Sequence, residues 1–179
     1  MKNSNVDLTI PTAVLIIDVQ NVMFDENFPV HQSIEILDRI KKIEHFALDK
    51  QLLTIYIQHA GEAGSPEEHG THGWQFHPAL SLKGPTLEKK TFDAFESTNL
   101  GSLLSENKIK QVIICGMQSD YCINANSRTC AKMGYETILV KDAHSTCDSE
   151  ELSAGNIITK INSDLENLVK LITTAELIS

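Results

Sequence analysis

Cys122 is the residue of this chain whose position best suits nucleophilic chemistry. It follows an apolar run that ends at Cys115 and the turn Gly116-Met-Gln-Ser-Asp-Tyr, and it begins a segment of helical character. Backbone N–H groups and the helix dipole at such an end favour a thiolate, lower the pKa of the thiol and stabilise an oxyanion. A free cysteine also packs as a small apolar residue, so position alone leaves a nucleophile and a core thiol both open.

Charged residues at the ends of two other apolar segments could act as partners of such a thiol. Asp18 directly follows Val-Leu-Ile-Ile, where a partly buried carboxylate can act as a general base. Lys89 or Lys90 follows a shorter segment, and an ammonium there would favour both the carboxylate and the thiolate. The alternatives are a carboxylate that binds the next loop and a lysine that is simply solvated at the edge of a sheet.

Histidines and aromatic residues concentrate in the segment 59–85. His69 and His72 have a spacing found in zinc sites, but they lie in a glycine-rich segment without an HExxH helix, so no metal and no other cofactor is expected. Trp74 is the best candidate to line a substrate pocket. The predicted substrate-binding residues are Phe24, His59, Trp74 and Tyr121.

Apolar runs and helical periodicity alternate along the chain and predict how these residues are positioned. Runs that suit strands of a parallel sheet lie at residues 13–18, 52–57, 86–89, 111–115, 136–140 and 168–172. Segments with helical character lie at residues 34–48, 100–104, 122–133 and 149–162. The pattern predicts an α/β fold with helices on both faces of a mostly parallel sheet.

Ligands of such sheets bind at the carboxyl ends of the strands. Asp18, Lys89 and Cys122 all follow predicted strands, and we therefore expect them at one edge of the sheet. The segment 59–85 follows another strand as a long loop, and loops of that length in a compact domain are usually functional.

Composition limits the class of partner. The 179 residues suit one domain spanning 1–179, and 15 basic against 24 acidic residues give a net charge of −9, which argues against nucleic acid and anionic membranes as partners. No apolar stretch is long enough to span a membrane, and no secretory signal is evident. Cys115, Cys122, Cys130 and Cys147 lack CxxC spacing, which predicts free thiols and a cytoplasmic location.

Taken together, these segments resemble the isochorismatase-like cysteine hydrolase family over residues 13 to about 160. The resemblance is carried by the order and spacing of the segments 13–21, 88–95, 98–100, 114–123, 134–135 and 140–146. It implies a three-layer αβα, Rossmann-like fold with about six strands. It also implies an Asp–Lys–Cys triad in which Asp18 is the base and Cys122 the nucleophile.

The resemblance also selects between the two lysines. In the family the lysine lies six residues before the phenylalanine of the Asp-Ala-Phe95 segment, which gives Lys89 rather than Lys90. The family further implies a cis peptide bond between Met117 and Gln118, and an oxyanion hole made of the backbone N–H groups of Gln118 and Cys122.

The reaction implied is hydrolysis of a small-molecule amide or related C–N bond through a thioester. The metal motif of the nicotinamidases in this superfamily, Asp-Trp-His followed by a further His, is replaced here by Gln58-His-Ala-Gly-Glu, which disfavours that metal-dependent activity. The alternatives are an isochorismatase that cleaves a vinyl ether, a non-catalytic binding protein that keeps the fold, and a thiol-based redox sensor. The family also implies a homodimer or a larger homo-oligomer.

Overall fold

The computed structural model describes residues 6–27 and 29–179, and within them six strands form one sheet. The strands are β1 (Thr12–Ile17), β2 (Leu53–His59), β3 (Thr86–Lys89), β4 (Gln111–Met117), β5 (Glu136–Ser145) and β6 (Lys170–Ile172). Their order is β3-β2-β1-β4-β5-β6, and every neighbouring pair is parallel. The predicted α/β fold with a parallel sheet is confirmed. The single-domain prediction also takes in residues 1–5 and Phe28, which lie outside the described residues.

Helices cover both faces of this sheet. They are α1 (Ser33–Asp49), α2 (Ala94–Ser97), α3 (Leu100–Glu106), α4 (Asn124–Lys132), α5 (Ala154–Leu165) and α6 (Thr174–Ile178). Because side chains alternate along a strand, Val14 and Ile16 of β1 pack in the same cluster as α1 and α6. Leu15 and Ile17 pack in the opposite cluster with α2 to α5. Burial on both faces explains why β1 reads as an uninterrupted apolar run, and it gives the three-layer αβα arrangement.

The strand order places a crevice between β1 and β4. From β1 the chain first builds β2 and β3 on one side and then crosses to β4 on the other, so the direction of winding reverses between β1 and β4. In open parallel sheets this reversal point, at the carboxyl ends of the strands, is where ligands bind. Asp18 follows β1 and Gln118 follows β4 at this point.

Two of the predicted elements have markedly different bounds, and the short helices α2 and α6 were not predicted from the sequence. β5 continues to Ser145 rather than ending at Val140, because a register shift in its pairing with β4 carries the strand past the polar Lys141 and Asp142. The last long helix begins at Ala154 rather than near residue 149. The Ser153 side chain caps it by accepting a hydrogen bond from the N–H of Asn156.

The long segment after β2 contains no helix or strand before β3 and is fixed by a buried glutamine. The Gln20 Nε2 donates to the carbonyls of His59 at 2.9 Å and Trp74 at 2.8 Å, while its Oε1 accepts from the His59 N–H at 2.8 Å. One buried amide therefore ties the end of β2 to the middle of the loop beside β1.

The described residues, 6–27 and 29–179, contain no helix with the length and apolarity that a membrane span requires.

Candidate active site

Asp18 turns the chain sharply at the end of β1. Its backbone has φ of +51°, a conformation that a non-glycine residue adopts only where the surroundings enforce it. The Asp18 N–H donates to the Ile57 carbonyl at 2.7 Å, which holds this turn against β2. The carboxylate is almost fully buried, and its Oδ1 has no hydrogen-bond partner among the described residues.

Lys89, at the end of β3, joins Asp18 to Cys122. Its Nζ donates to Asp18 Oδ2 at 2.8 Å and to Cys122 Sγ at 3.1 Å, and its side chain has no exposed surface. Burial alone would lower the pKa of this ammonium, but the charge of Asp18 and the contact with Cys122 raise it above its ordinary value. Lys90, the next residue along the chain, lies just past the end of β3 and is exposed.

Cys122 lies in a π-helical turn, Ser119–Ile123, between β4 and α4. Burial raises the pKa of its thiol, the charge of Asp18 raises it further, and Lys89 acts in the opposite direction. The sequence-based expectation of a lowered pKa at a helix N-terminus is therefore wrong for the resting site. Desolvation and the nearby carboxylate outweigh the ammonium, so the thiol rests protonated.

The turn before Cys122 begins at Gly116, whose φ is +124°. A Cβ at that position would lie 1.9 Å from the Ile17 carbonyl oxygen, so only glycine allows β4 to pass this close to β1. The peptide bond between Met117 and Gln118 is cis, as the resemblance implies. The carbonyl of Gln118 accepts hydrogen bonds from the N–H groups of Tyr121 and Ile123, which fix the turn that carries Cys122.

A buried histidine supports the same turn and was not assigned a role from the sequence. The Asn162 Nδ2 donates to the Lys141 carbonyl, which leaves its Oδ1 to accept from His144 Nε2 at 3.0 Å. His144 Nδ1 is then the acceptor for the Ser119 hydroxyl at 2.8 Å. Burial lowers the pKa of His144, which agrees with this neutral, oriented form. The β-bulge that extends β5 is what brings His144 opposite Gly116.

A cavity of about 330 Å³ opens above Asp18 and Cys122. Of the residues that the sequence predicted for the site, five line it: Asp18, His59, Gln118, Tyr121 and Cys122. Lys89 lies buried beneath them.

The structure places Phe24 and Trp74 outside that lining. The Phe24 ring packs on His77 with ring centroids 4.7 Å apart. The Trp74 Nε1 donates to Glu88 Oε2 at 3.1 Å, and its ring contacts His69. Both rings therefore brace the loop between β2 and β3, so their assignment to the substrate gains no support from this geometry.

Met23, Glu67 and Phe92 also line the cavity and were not predicted to. Glu67 lies within the long loop, where no periodicity indicates which side chains face inward. Phe92 lies three residues after the end of β3, and this place near a strand end was the available signal.

Two ionisable groups on the cavity wall have shifted pKa values. Burial lowers the pKa of His59, and the ammonium of Lys89, whose Nζ is 3.4 Å from His59 Nδ1, lowers it further. Burial raises the pKa of Glu67, and the charge of Asp18 adds to that rise. In the part of the chain that the structure describes, no three His, Cys, Asp or Glu side chains converge as a metal site.

Comparisons with known proteins agree with this architecture. A family model described as the isochorismatase domain matches residues 12–176. A streptothricin hydrolase of Streptomyces noursei is 30% identical over 139 residues, which are 76% of this chain but only 50% of that relative. An isochorismatase family protein of Bacillus subtilis, YrdC, is 28% identical over 142 residues, covering 73% of this chain and 72% of that protein.

A solved structure agrees along nearly the whole chain. A crystal structure from Oleispira antarctica, named as an isochorismatase hydrolase, has a TM-score of 0.89 and 25% sequence identity. The match covers 97% of this chain and 99% of that one.

Proposed function

The chain belongs to the isochorismatase family of hydrolases, and from that premise we propose that it is a cysteine hydrolase acting on a small-molecule amide or related C–N bond. The observation that carries the proposal is the position of the Lys89 Nζ, 2.8 Å from the Asp18 carboxylate and 3.1 Å from the Cys122 sulfur, directly below an open cavity. The relative named streptothricin hydrolase supports hydrolysis as the type of reaction.

The first step is formation of a thioester. Asp18 takes the proton of the Cys122 thiol, for which its unpartnered Oδ1 is available, and the sulfur attacks the substrate carbonyl carbon. Lys89 stays protonated throughout, because the thiolate and the carboxylate both raise its pKa. Its charge offsets the negative charge that moves from sulfur to the substrate oxygen.

The oxyanion of the tetrahedral intermediate rests on the backbone N–H groups of Gln118 and Cys122, at the start of the turn before α4. When the intermediate collapses, the C–N bond breaks and the nitrogen leaves with the proton that Asp18 had accepted. The acyl group then remains on the Cys122 sulfur as a thioester.

Water completes the reaction. Asp18, again a carboxylate, accepts a proton from a water molecule that attacks the thioester carbonyl. The C–S bond breaks, the proton returns to the sulfur, and the acid is released. The net change is addition of one water across the C–N bond, and it requires no cofactor.

The vinyl-ether alternative fits the cavity less well. Isochorismate is a dicarboxylate, whereas the described residues that line the cavity include Asp18 and Glu67 but no lysine or arginine. The Lys89 ammonium beneath the cavity is buried and already paired with Asp18. The charge of the site therefore favours a neutral or cationic amide over a dianion.

A substrate screen with a matched pair of variants tests the proposal. Small amides and isochorismate would be offered to the wild type, to Cys122→Ala and to Cys147→Ser, whose thiol lies outside the cavity lining. We expect the wild type and Cys147→Ser to release amine or ammonia from an amide. Cys122→Ala should lose at least about 10³-fold in kcat/KM.

Circular dichroism would establish that Cys122→Ala is folded. Amide hydrolysis retained by a folded Cys122→Ala would overturn the proposal. Hydrolysis of isochorismate by both the wild type and this variant, with no amide accepted, would instead indicate vinyl-ether chemistry.

A further inference from the structure

Glu67 is an acidic side chain on the cavity wall that the proposed mechanism does not use. It lies in the long loop between β2 and β3 and is partly buried. Its backbone carbonyl accepts from the Gly61 N–H at 2.9 Å, which fixes the loop at this point. No hydrogen bond or ion pair joins its carboxylate to any of the described residues.

We propose that Glu67, together with the aromatic rim formed by Phe92 and Tyr121, binds a cationic amine or quaternary ammonium group of the substrate. The site would then select amides that carry a positive charge close to the scissile C–N bond. This inference rests on the proposed function for the bond that is cleaved, but the charge preference itself does not depend on turnover.

Among the described residues that line the cavity, Glu67 carries the uncompensated charge. The Lys89 ammonium is offset by Asp18, with which it forms a buried ion pair at 2.8 Å. The resting Cys122 thiol is neutral, because burial raises its pKa. His59 is neutral near pH 7, because burial and Lys89 lower its pKa below the ordinary 6.5. The net charge facing a ligand is therefore that of Glu67.

The surroundings of Glu67 suit a cationic ligand better than water. Burial and the charge of Asp18 both raise the pKa of this carboxyl group, so its ionised form is poorly stabilised in the free protein. A ligand ammonium placed beside it would supply the missing positive charge through a charge-assisted hydrogen bond or an ion pair.

Phe92 and Tyr121 add a second feature that suits a cation. Their rings lie with centroids 5.1 Å apart, and they are unusually exposed for aromatic residues, at 54% and 46%. Both line the same cavity as Glu67. The negative faces of aromatic rings attract ammonium groups, most strongly where water is partly excluded. A carboxylate and two aromatic rings around one cavity therefore match a cationic substituent in both charge and apolar surface.

Thiol-labelling reagents that differ in charge test this without knowledge of the substrate. The probes are 2-(trimethylammonium)ethyl and 2-sulfonatoethyl methanethiosulfonate, which both form a disulfide with Cys122 and release methanesulfinate. The measured quantity is the ratio of the two labelling rates at Cys122. It would be followed by peptide mass spectrometry in a Cys147→Ser background, since Cys115 and Cys130 are buried and, unlike Cys122, do not line the cavity.

The variants are Glu67→Gln and, as a matched control, Glu62→Gln, an exposed carboxylate in the same loop that does not line the cavity. We expect Glu67→Gln to lower the cation-to-anion ratio about five- to tenfold, and Glu62→Gln to change it less than about twofold. A ratio in Glu67→Gln within twofold of the wild type would overturn the inference, and so would an equal fall in both variants.

The pH dependence of the same ratio provides a check on the unmodified site. Thiol ionisation affects both reagents equally and cancels in the ratio. As pH falls through the raised pKa of Glu67, its charge is lost, so the cation preference of the wild type should decline. Protonation of His59 on the same cavity wall lowers the preference in both proteins, so the decline should be steeper in the wild type than in Glu67→Gln. A wild-type ratio that does not change between pH 8 and pH 4 would contradict the inference even if Glu67→Gln failed to fold. Failure of this labelling test refutes charge recognition alone, whereas retained turnover in Cys122→Ala refutes the reaction.

Discussion

Lys89 is the residue on which the geometry of the candidate site depends. A fully buried ammonium is stable only when it is paired, and here the Asp18 carboxylate and the Cys122 sulfur both lie within hydrogen-bond distance. The same contacts pair the buried Asp18 carboxylate with a positive charge, next to the thiol from which it is proposed to take a proton. The structural role and the proposed catalytic role therefore coincide in one side chain.

Substitutions of Lys89 and Lys90 test which of the two neighbouring lysines belongs to the site. Lys89→Met should reduce kcat by at least about 10²-fold, because neither the thiolate nor the oxyanion keeps its cationic partner. It should also lower the stability by roughly 3–5 kcal/mol, because Asp18 is left buried and unpaired. Steady-state kinetics and thermal unfolding would measure both effects.

The control is Lys90→Met, which removes the exposed lysine that directly follows β3. It should leave kcat within about twofold of the wild type and change the stability by less than about 0.5 kcal/mol. Equal losses in the two variants, or a larger loss in Lys90→Met, would contradict the assignment of Lys89.

Asp18, Lys89 and Cys122 were not equally easy to assign to the site from the sequence. Asp18 and Cys122 could be placed at strand ends from the apolar runs that precede them. The choice of Lys89 over Lys90 needed the family spacing, because β3 is only four residues long and shows little periodicity. The high pKa of the resting thiol was not predictable, since it depends on burial and on how close Asp18 lies to Cys122.

At the scale of elements, the site depends on how closely β4 passes β1. Gly116 lies opposite Ile17 in the register of these strands, and its backbone would collide with that strand if it carried a Cβ. The close approach brings the turn that carries Cys122 next to Asp18, which directly follows Ile17. A glycine in the interior of the chain thus positions two side chains of the site.

Two glycines with positive φ make a matched test of this role. Gly116→Ala should destabilise the fold by more than about 4 kcal/mol or prevent folding, because the new Cβ would meet the Ile17 carbonyl oxygen. Gly134→Ala, where φ is +85° and no atom lies within 4 Å of the added Cβ, should lower the stability by only about 1 kcal/mol. Chemical denaturation would compare the two, and similar values for both would contradict the close-approach argument.

Element boundaries were predictable where burial gave a clear pattern. The strands β1 and β4 each contain a continuous apolar run, and the helix α1 shows an apolar stripe. The end of β5 was not predictable, because its bulge carries the strand through Lys141 and Asp142 before burying Ala143, His144 and Ser145. The contact between His144 and Ser119 follows from that bulge and was missed with it.

At the scale of the whole molecule, the strand order decides which loops meet. Winding outward in both directions from β1 and β4 brings the ends of β1, β3 and β4 to one edge of the sheet. The alternation of strands and helices predicted this edge, but not which side chains of the loop between β2 and β3 face it. That loop is held by single contacts, such as those of Gln20, rather than by a repeating pattern. Assembly into a homo-oligomer stays a prediction.

Hydroxylamine partitioning tests the central claim, a thioester on Cys122, most directly. Hydroxylamine added during turnover of an amide found in the screen competes with water for the acyl group. We expect the wild type to form the hydroxamate at the expense of the acid, in proportion to the hydroxylamine added, and Cys122→Ala to form neither product. Acid formation by the wild type with no hydroxamate at any hydroxylamine concentration, or hydroxamate formation by Cys122→Ala, would contradict it.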